Sequence, residues 1–66
     1  MTENERVREL RKTLGLTLEK FGERLGVKKN AISAIENGRN SLTDQMTKAI
    51  CREFGVDYIW LTTGDG

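Results

Sequence analysis

Apolar residues recur every three or four positions along this chain, the spacing that places them on one face of an α-helix. Glycine-containing breaks separate the apolar stripes. The pattern predicts five helices, at about 2–14, 18–25, 29–37, 44–54 and 58–62. The alternating runs of Val, Ile and Thr that indicate strands are absent from the sequence. We therefore expect a compact all-α fold of five helices.

The expected helix starts carry residues that cap free backbone N–H groups. Thr2 precedes the first stripe and Glu5 follows three residues later, which is the spacing of a capping box. Thr17, Thr43 and Asp57 precede the second, fourth and fifth helices in the same way. These side chains support the predicted boundaries.

Fifteen apolar residues are expected to form the core. They are Val7, Leu10, Leu14, Leu16, Phe21, Leu25, Val27, Ile32, Ile35, Met46, Ile50, Phe54, Val56, Trp60 and Leu61. A core of this size indicates modest stability. The charged residues of the first helix, Arg6 and Arg8 among them, are expected to form a solvated face.

The stretch 18–35 has the pattern of a helix-turn-helix. Only about three residues around Gly26 separate the second and third helices, which favours a steep crossing over an antiparallel hairpin. Gly22 is expected to allow close contact between the helices, and Gly26 to adopt the positive φ of the turn. Val27 and Ile32 would then pack inside.

The composition excludes several kinds of active site. The 66 residues include no His and one Cys, so an imidazole base, a His-ligated zinc ion and an internal disulfide are excluded. We expect one domain over 1–66, no enzyme, no cofactor, no metal site and no small-molecule substrate. No apolar run approaches the roughly 18 residues of a membrane span, and we expect a cytoplasmic protein.

The net charge of +1 gives little indication of a nucleic-acid partner. Local charge matters more than the total. Residues 28–39 hold three basic side chains and one acidic one, whereas 53–66 hold three acidic side chains and no basic one. Positive charge is therefore concentrated in the middle of the chain.

The whole chain resembles the helix-turn-helix domains of the phage repressor and Cro type. The resemblance is carried by Val-Arg-Glu-Leu-Arg-Lys-Thr-Leu-Gly-Leu-Thr at 7–17, Leu-Gly-Val at 25–27, Ala-Ile-Ser-Ala-Ile-Glu-Asn-Gly-Arg at 31–39 and Phe-Gly-Val-Asp-Tyr-Ile-Trp-Leu-Thr-Thr-Gly at 54–64. It implies a domain that inserts its third helix into the major groove of a double-stranded DNA operator, usually as a homodimer.

The third helix carries side chains that can read base edges. Lysine donates to guanine, asparagine pairs with adenine, serine serves as donor or acceptor, and alanine contacts a thymine methyl group. The expected base contacts are Lys28, Lys29, Asn30, Ser33 and Ala34. The expected phosphate contacts, at the start of helix two and after helix three, are Thr17, Leu18, Asn37, Arg39, Asn40 and Ser41. By resemblance, Arg11 and Glu36 are expected to form a structural ion pair.

Three positions depart from the family pattern. Leu18 stands where Gln is common, Gly22 stands where Ala is common, and Lys28 stands where Ser or Thr commonly caps helix three. If Leu18 lies beside the DNA backbone, Leu18→Gln should strengthen DNA binding. If Leu18 faces the core or a partner protein, the same change should weaken the fold or that contact instead.

Together these features indicate a sequence-specific DNA-binding transcriptional regulator, foremost a repressor of phage or mobile-element type. The alternatives are an antitoxin or restriction-controller protein of the same fold, or a protein-interaction module without DNA binding. The chain could be complete or the N-terminal part of a longer regulator. A homodimer would use the fifth helix, with Tyr58 or Ile59 at its surface.

Overall fold

The computed structural model describes residues 1–65 and contains the five predicted helices. They are α1 (Glu3–Thr13), α2 (Leu18–Leu25), α3 (Lys29–Glu36), α4 (Asp44–Phe54) and α5 (Tyr58–Thr63). Within those 65 residues there is no strand, and the all-α prediction is confirmed. No helix in this part of the chain combines the length and the hydrophobicity needed to cross a membrane.

The predicted capping residues set the helix starts. The Thr2 side chain accepts from the Glu5 N–H, and the Glu5 carboxylate accepts from the Thr2 N–H, which completes the capping box. Thr17, Thr43 and Asp57 each accept from the backbone N–H three residues later. The side chain at the start of α3 makes no capping hydrogen bond, as the lysine at that position predicts.

The turn between α2 and α3 depends on two glycines. Gly26 has a φ of 77°, the left-handed conformation that ends α2. Gly22 is buried, and a Cβ there would lie only 2.6 Å from the carbonyl oxygen of Val27. Any other residue at 22 would force the turn away from α2, so this glycine allows the short distance between the helices.

The core lies where the five helices meet. Its buried apolar side chains are Val7, Phe21, Ile32, Ile35, Leu42, Ile50 and Leu61. The Phe21 and Phe54 rings stack at 4.8 Å between centroids. Leu14 is 42% exposed, so its assignment to the core was wrong. Leu42 is buried although it lies in the connection between α3 and α4, outside any helical stripe.

Arg6 is buried, which contradicts the solvated position expected for it. Its Nε donates to the carbonyl oxygen of Leu61 at 2.7 Å, and Nη2 to that of Thr62 at 3.0 Å. Its Nη1 donates to the Met1 carbonyl at 2.9 Å. The guanidinium thus satisfies carbonyls at the end of α5 and holds α5 against the start of α1.

Candidate nucleic-acid interface

One face of α3 is anchored in the core and the other is open to solvent. Ile32 and Ile35 are buried, which fixes the rotation of the helix about its axis. The opposite face presents four of the five predicted base contacts, and the fifth, Lys28, lies just before the helix. Lys28, Lys29 and Asn30 are exposed, and Ser33 and Ala34 are partly exposed. The amphipathic pattern therefore determines which side chains can meet a ligand.

The chain after α3 folds back beside this face. The backbone N–H groups of Arg39 and Asn40 both donate to the carbonyl oxygen of Ala34, at 2.9 and 3.2 Å. This return brings side chains from α3 and from the following segment to one shallow depression. We call it the recognition depression; it is lined by Asn30, Ser33, Ala34, Arg39 and Asn40. Residues predicted for base contact and for phosphate contact thus share one concave surface.

The remaining residues predicted for the segment after α3 lie close by. Asn37 and Ser41 are both exposed. The Asn37 side chain donates from Nδ2 to the Ser33 hydroxyl at 3.3 Å. Asn37 is thereby oriented along α3, and Ser41 makes no side-chain hydrogen bond within residues 1–65.

Three cations are available to a ligand here: Arg39 in the recognition depression, and Lys28 and Lys29 just before Asn30. The ion pairs within residues 1–65 are Arg11–Glu36, Arg24–Glu53 and Lys48–Asp44. None of these pairs uses Lys28, Lys29 or Arg39, and all three side chains are exposed. Free positive charge on this face suits a polyanion.

The start of α2 provides a weaker contact surface. Thr17 is exposed, and its hydroxyl accepts from the Lys20 N–H. Leu18 is half-buried and packs against the core, which is the alternative position considered for it. Its apolar side chain offers no hydrogen bond, so at Leu18 itself a phosphate would meet only the backbone N–H group.

Two carboxylates at this surface were not anticipated. Glu19 and Glu23 line the notch between α2 and α3 together with Lys28, Lys29 and Asn30. Both glutamates are exposed. They reduce the positive potential next to the exposed face of α3, in agreement with the small net charge of the chain.

Arg11 and Glu36 form the expected ion pair. Arg11 Nε donates to Glu36 Oε2 at 2.7 Å, and Nη2 donates to Oε1 at 3.1 Å. The Arg11 Nη1 also donates to the carbonyl oxygen of Leu16 at 2.9 Å. The hydrogen bond to Glu36 raises the pKa of the Arg11 guanidinium, although burial opposes this effect. The pair ties the end of α3 to α1 and so fixes the recognition helix.

Asn4 was not among the predicted site residues. It is partly buried, and its side-chain amide donates to the carbonyl oxygens of Ile35 and Asn40. An asparagine in the first turn of a helix carries no signal of such a contact. The partners are backbone atoms that could belong to any residue.

Two curated relatives match most of this chain but are much longer. The propionyl-CoA carboxylase regulator of Cereibacter sphaeroides is 40% identical over 60 residues, which are 91% of this chain and 13% of that protein. The antitoxin PezA of Streptococcus pneumoniae serotype 4 is 36% identical over 53 residues, 80% of this chain and 34% of that protein. The chain thus spans about an eighth and about a third of their lengths.

A solved structure has the same fold over almost the full length. It is the P22 c2 repressor protein in complex with a synthetic operator, with a TM-score of 0.86, 26% sequence identity and coverage of 98% of both chains. The model of a helix-turn-helix domain family matches residues 4–66. The chain therefore belongs to the helix-turn-helix domain family.

Proposed function

We propose that this chain is the DNA-binding domain of a transcriptional regulator and that it acts as a repressor. The observation that carries the proposal is the recognition depression. Polar side chains of α3 and of the segment after it converge there with Arg39, next to the exposed Lys28 and Lys29. Polar side chains suit the reading of base edges, and cations suit contact with the DNA phosphates, so this surface combines both requirements.

The base-reading surface in this proposal is the exposed face of α3. Lys28 and Lys29 would donate to guanine O6 and N7, and Asn30 would pair with the N6 and N7 atoms of adenine. Ser33 can donate or accept, and Ala34 can contact a thymine methyl group. These five side chains would decide which sequence is bound.

The phosphate contacts would flank that surface. The start of α2 offers the Thr17 hydroxyl and backbone N–H groups, among them that of Leu18. Arg39 carries the only charge among the proposed contacts after α3. The neutral members of that group are Asn37, Asn40 and Ser41. Such contacts would fix the docking register and contribute affinity without sequence information.

The relatives support a regulatory role. The solved neighbour is a repressor bound to its operator, and one curated relative is a regulator. Repression would follow from occupancy, because a bound protein excludes polymerase from the same DNA. In such a role the protein would act in the cytoplasm, where the DNA is.

We further propose a homodimer on DNA that forms through α5. Tyr58 and Ile59 are 40% and 51% exposed, and Tyr58 OH donates to Asp44 Oδ1 at 2.7 Å, which orients the ring. The half-sites of the operator should then lie about 34 Å apart. Sedimentation of the protein with operator DNA tests this assembly, and a saturated complex of one chain per duplex at every concentration would reject it.

The antitoxin of a toxin–antitoxin pair is a second candidate, favoured by the match to the antitoxin PezA. This chain would bind DNA through the same face in either case. Co-expression with the protein encoded beside it, followed by a growth assay, separates the two functions. A neutralised toxin would identify an antitoxin.

Binding-site selection from random duplex DNA tests the proposed function. We expect enrichment of a palindromic motif with two half-sites. Failure to enrich any sequence, together with weak binding at low salt, would contradict the proposal. That result would favour a protein partner for the exposed face of α3.

A further inference from the structure

Asn4 joins three parts of the fold that are distant in sequence. It lies in the first turn of α1. Its Nδ2 donates to the carbonyl oxygen of Ile35 at 2.8 Å and to that of Asn40 at 3.0 Å. The amide nitrogen has two hydrogens, so both are used. The side chain bridges α1, the last turn of α3 and the segment that follows α3.

This bridge completes the anchoring of the segment after α3. The N–H groups of Arg39 and Asn40 donate to the carbonyl oxygen of Ala34. The Asn40 carbonyl oxygen accepts from Asn4 on α1. The peptide groups on both sides of Asn40 are therefore hydrogen-bonded to different helices, which restricts the backbone that carries the Arg39 side chain.

Asn4 itself lies outside the recognition depression. It lines a different groove, between α1 and the end of α3. Arg39 and Asn40 line the recognition depression. Any effect of Asn4 on a ligand in the depression must therefore pass through the backbone that it holds.

We propose that Asn4 is a positioning residue that holds Arg39 and Asn40 ready for the DNA backbone. The proposal rests on the DNA-binding function proposed above. Without the bridge, the segment after α3 would have more conformations in the free protein. Binding would then have to order it, and the entropy lost would weaken the complex.

The variant Asn4→Ala removes both donors without changing the charge. We expect it to weaken binding to the selected duplex about tenfold, the size of effect that one lost positioning contact gives. The control is Thr47→Val, which removes a side-chain donor to the Thr43 carbonyl from buried Thr47 and leaves the recognition depression untouched. The control should bind DNA as the wild type does. If Asn4→Ala does not fold, Asn4→Ser, which keeps one hydroxyl donor, replaces it.

A double-mutant cycle with Arg39→Ala separates positioning from a general loss of stability. Arg39→Ala should weaken binding about tenfold in the wild-type background and at most about twofold in the Asn4→Ala background. Arg39→Ala should also reduce the slope of log affinity against log salt by about one, because it removes a cation from the phosphate contact. Equal losses from Arg39→Ala in both backgrounds would overturn the proposal.

Amide exchange in the free protein provides a readout that needs no DNA. The N–H groups of Arg39 and Asn40 should exchange at least about tenfold faster in Asn4→Ala than in the wild type. Unchanged exchange at both positions would overturn the proposal while wild-type binding still supported the proposed function. A wild-type protein that binds no duplex would overturn both, and the two failures are thus distinguishable.

Discussion

Two arginines of α1 connect this helix to two different helices, and they do so through different kinds of partner. Arg11 faces α3, where it meets the carboxylate of Glu36 through two hydrogen bonds. Arg6 faces α5, where its hydrogen-bond partners within residues 1–65 are backbone carbonyl oxygens. Both side chains are largely removed from solvent. The two contacts show two ways in which a protein accommodates a buried guanidinium.

The two kinds of partner should make the contacts with α3 and α5 differ in their sensitivity to mutation. A carboxylate neutralises Arg11 and orients it bidentately, which links the recognition helix to α1 through one specific residue. Within residues 1–65 Arg6 has no such counter-charge, and its carbonyl partners remain when the arginine is removed. Because buried carbonyls without donors are unfavourable, the α5 side should be the more sensitive of the two to loss of its arginine.

The largest expected effect is that of Arg6→Ala, which should lower the free energy of unfolding by about 3 kcal/mol. It leaves the carbonyls at the end of α5 without donors and removes a buried side chain. Urea unfolding followed by circular dichroism measures the change. The control Arg8→Ala, at an exposed position of the same helix, should stay within about 0.5 kcal/mol of the wild type. Similar losses in the two variants would show that the Arg6 contacts are not stabilising.

Glu36→Ala should lower the free energy of unfolding by about 2 kcal/mol, because Arg11 keeps its partly buried position without a carboxylate partner. The matched control is Glu53→Ala. It breaks the Arg24–Glu53 pair, in which both side chains are more than a third exposed, and should lose less than about 1 kcal/mol. Thermal or urea unfolding of the two variants makes the comparison. A loss of less than about 0.5 kcal/mol for Glu36→Ala would mean that the Arg11–Glu36 pair stabilises the fold no more than an exposed ion pair does.

Leu18→Gln should have a smaller effect, a loss of about 1 kcal/mol in the free energy of unfolding. Leu18 packs partly against the core, so a polar replacement loses apolar contact. Leu14→Gln is the matched control at a leucine that is 42% exposed, and it should be close to neutral. Operator affinity of Leu18→Gln, measured on the same sample, decides whether this position also meets DNA. A gain in affinity with unchanged stability would contradict the packing role.

Local features of the sequence predict part of the fold, and they miss contacts that leave no local pattern. Helix starts were predictable because capping depends on local residue types, as at Thr17 and Asp57. The turn was predictable because Gly26 permits a φ that few other residues adopt. Arg6 was missed because its partners are backbone carbonyls, which leave no mark on the sequence. Leu42 was missed because a single apolar residue in a connection has no periodicity.

The candidate site is also predictable from the sequence only in part. The outward face of α3 was predictable because the buried positions of an amphipathic helix determine the exposed ones. The Arg11–Glu36 pair was expected from the resemblance to the phage repressor family. The closeness of Arg39 to Asn30 depends on the path of the chain after α3. That path is set by the Ala34 carbonyl and by Asn4, neither of which signals a contact in the sequence.

Two substitutions in the exposed face of α3 show whether this helix reads DNA sequence. Lys29→Ala and Asn30→Ala are compared on the selected duplex and on random duplex, with Arg52→Ala, an exposed cation in the last turn of α4, as the control. Each α3 variant should lose about 1–3 kcal/mol on the selected duplex and far less on random DNA. The control should lose little on either DNA. Equal losses on both DNAs would contradict the account, because they would mean that these side chains only neutralise phosphates.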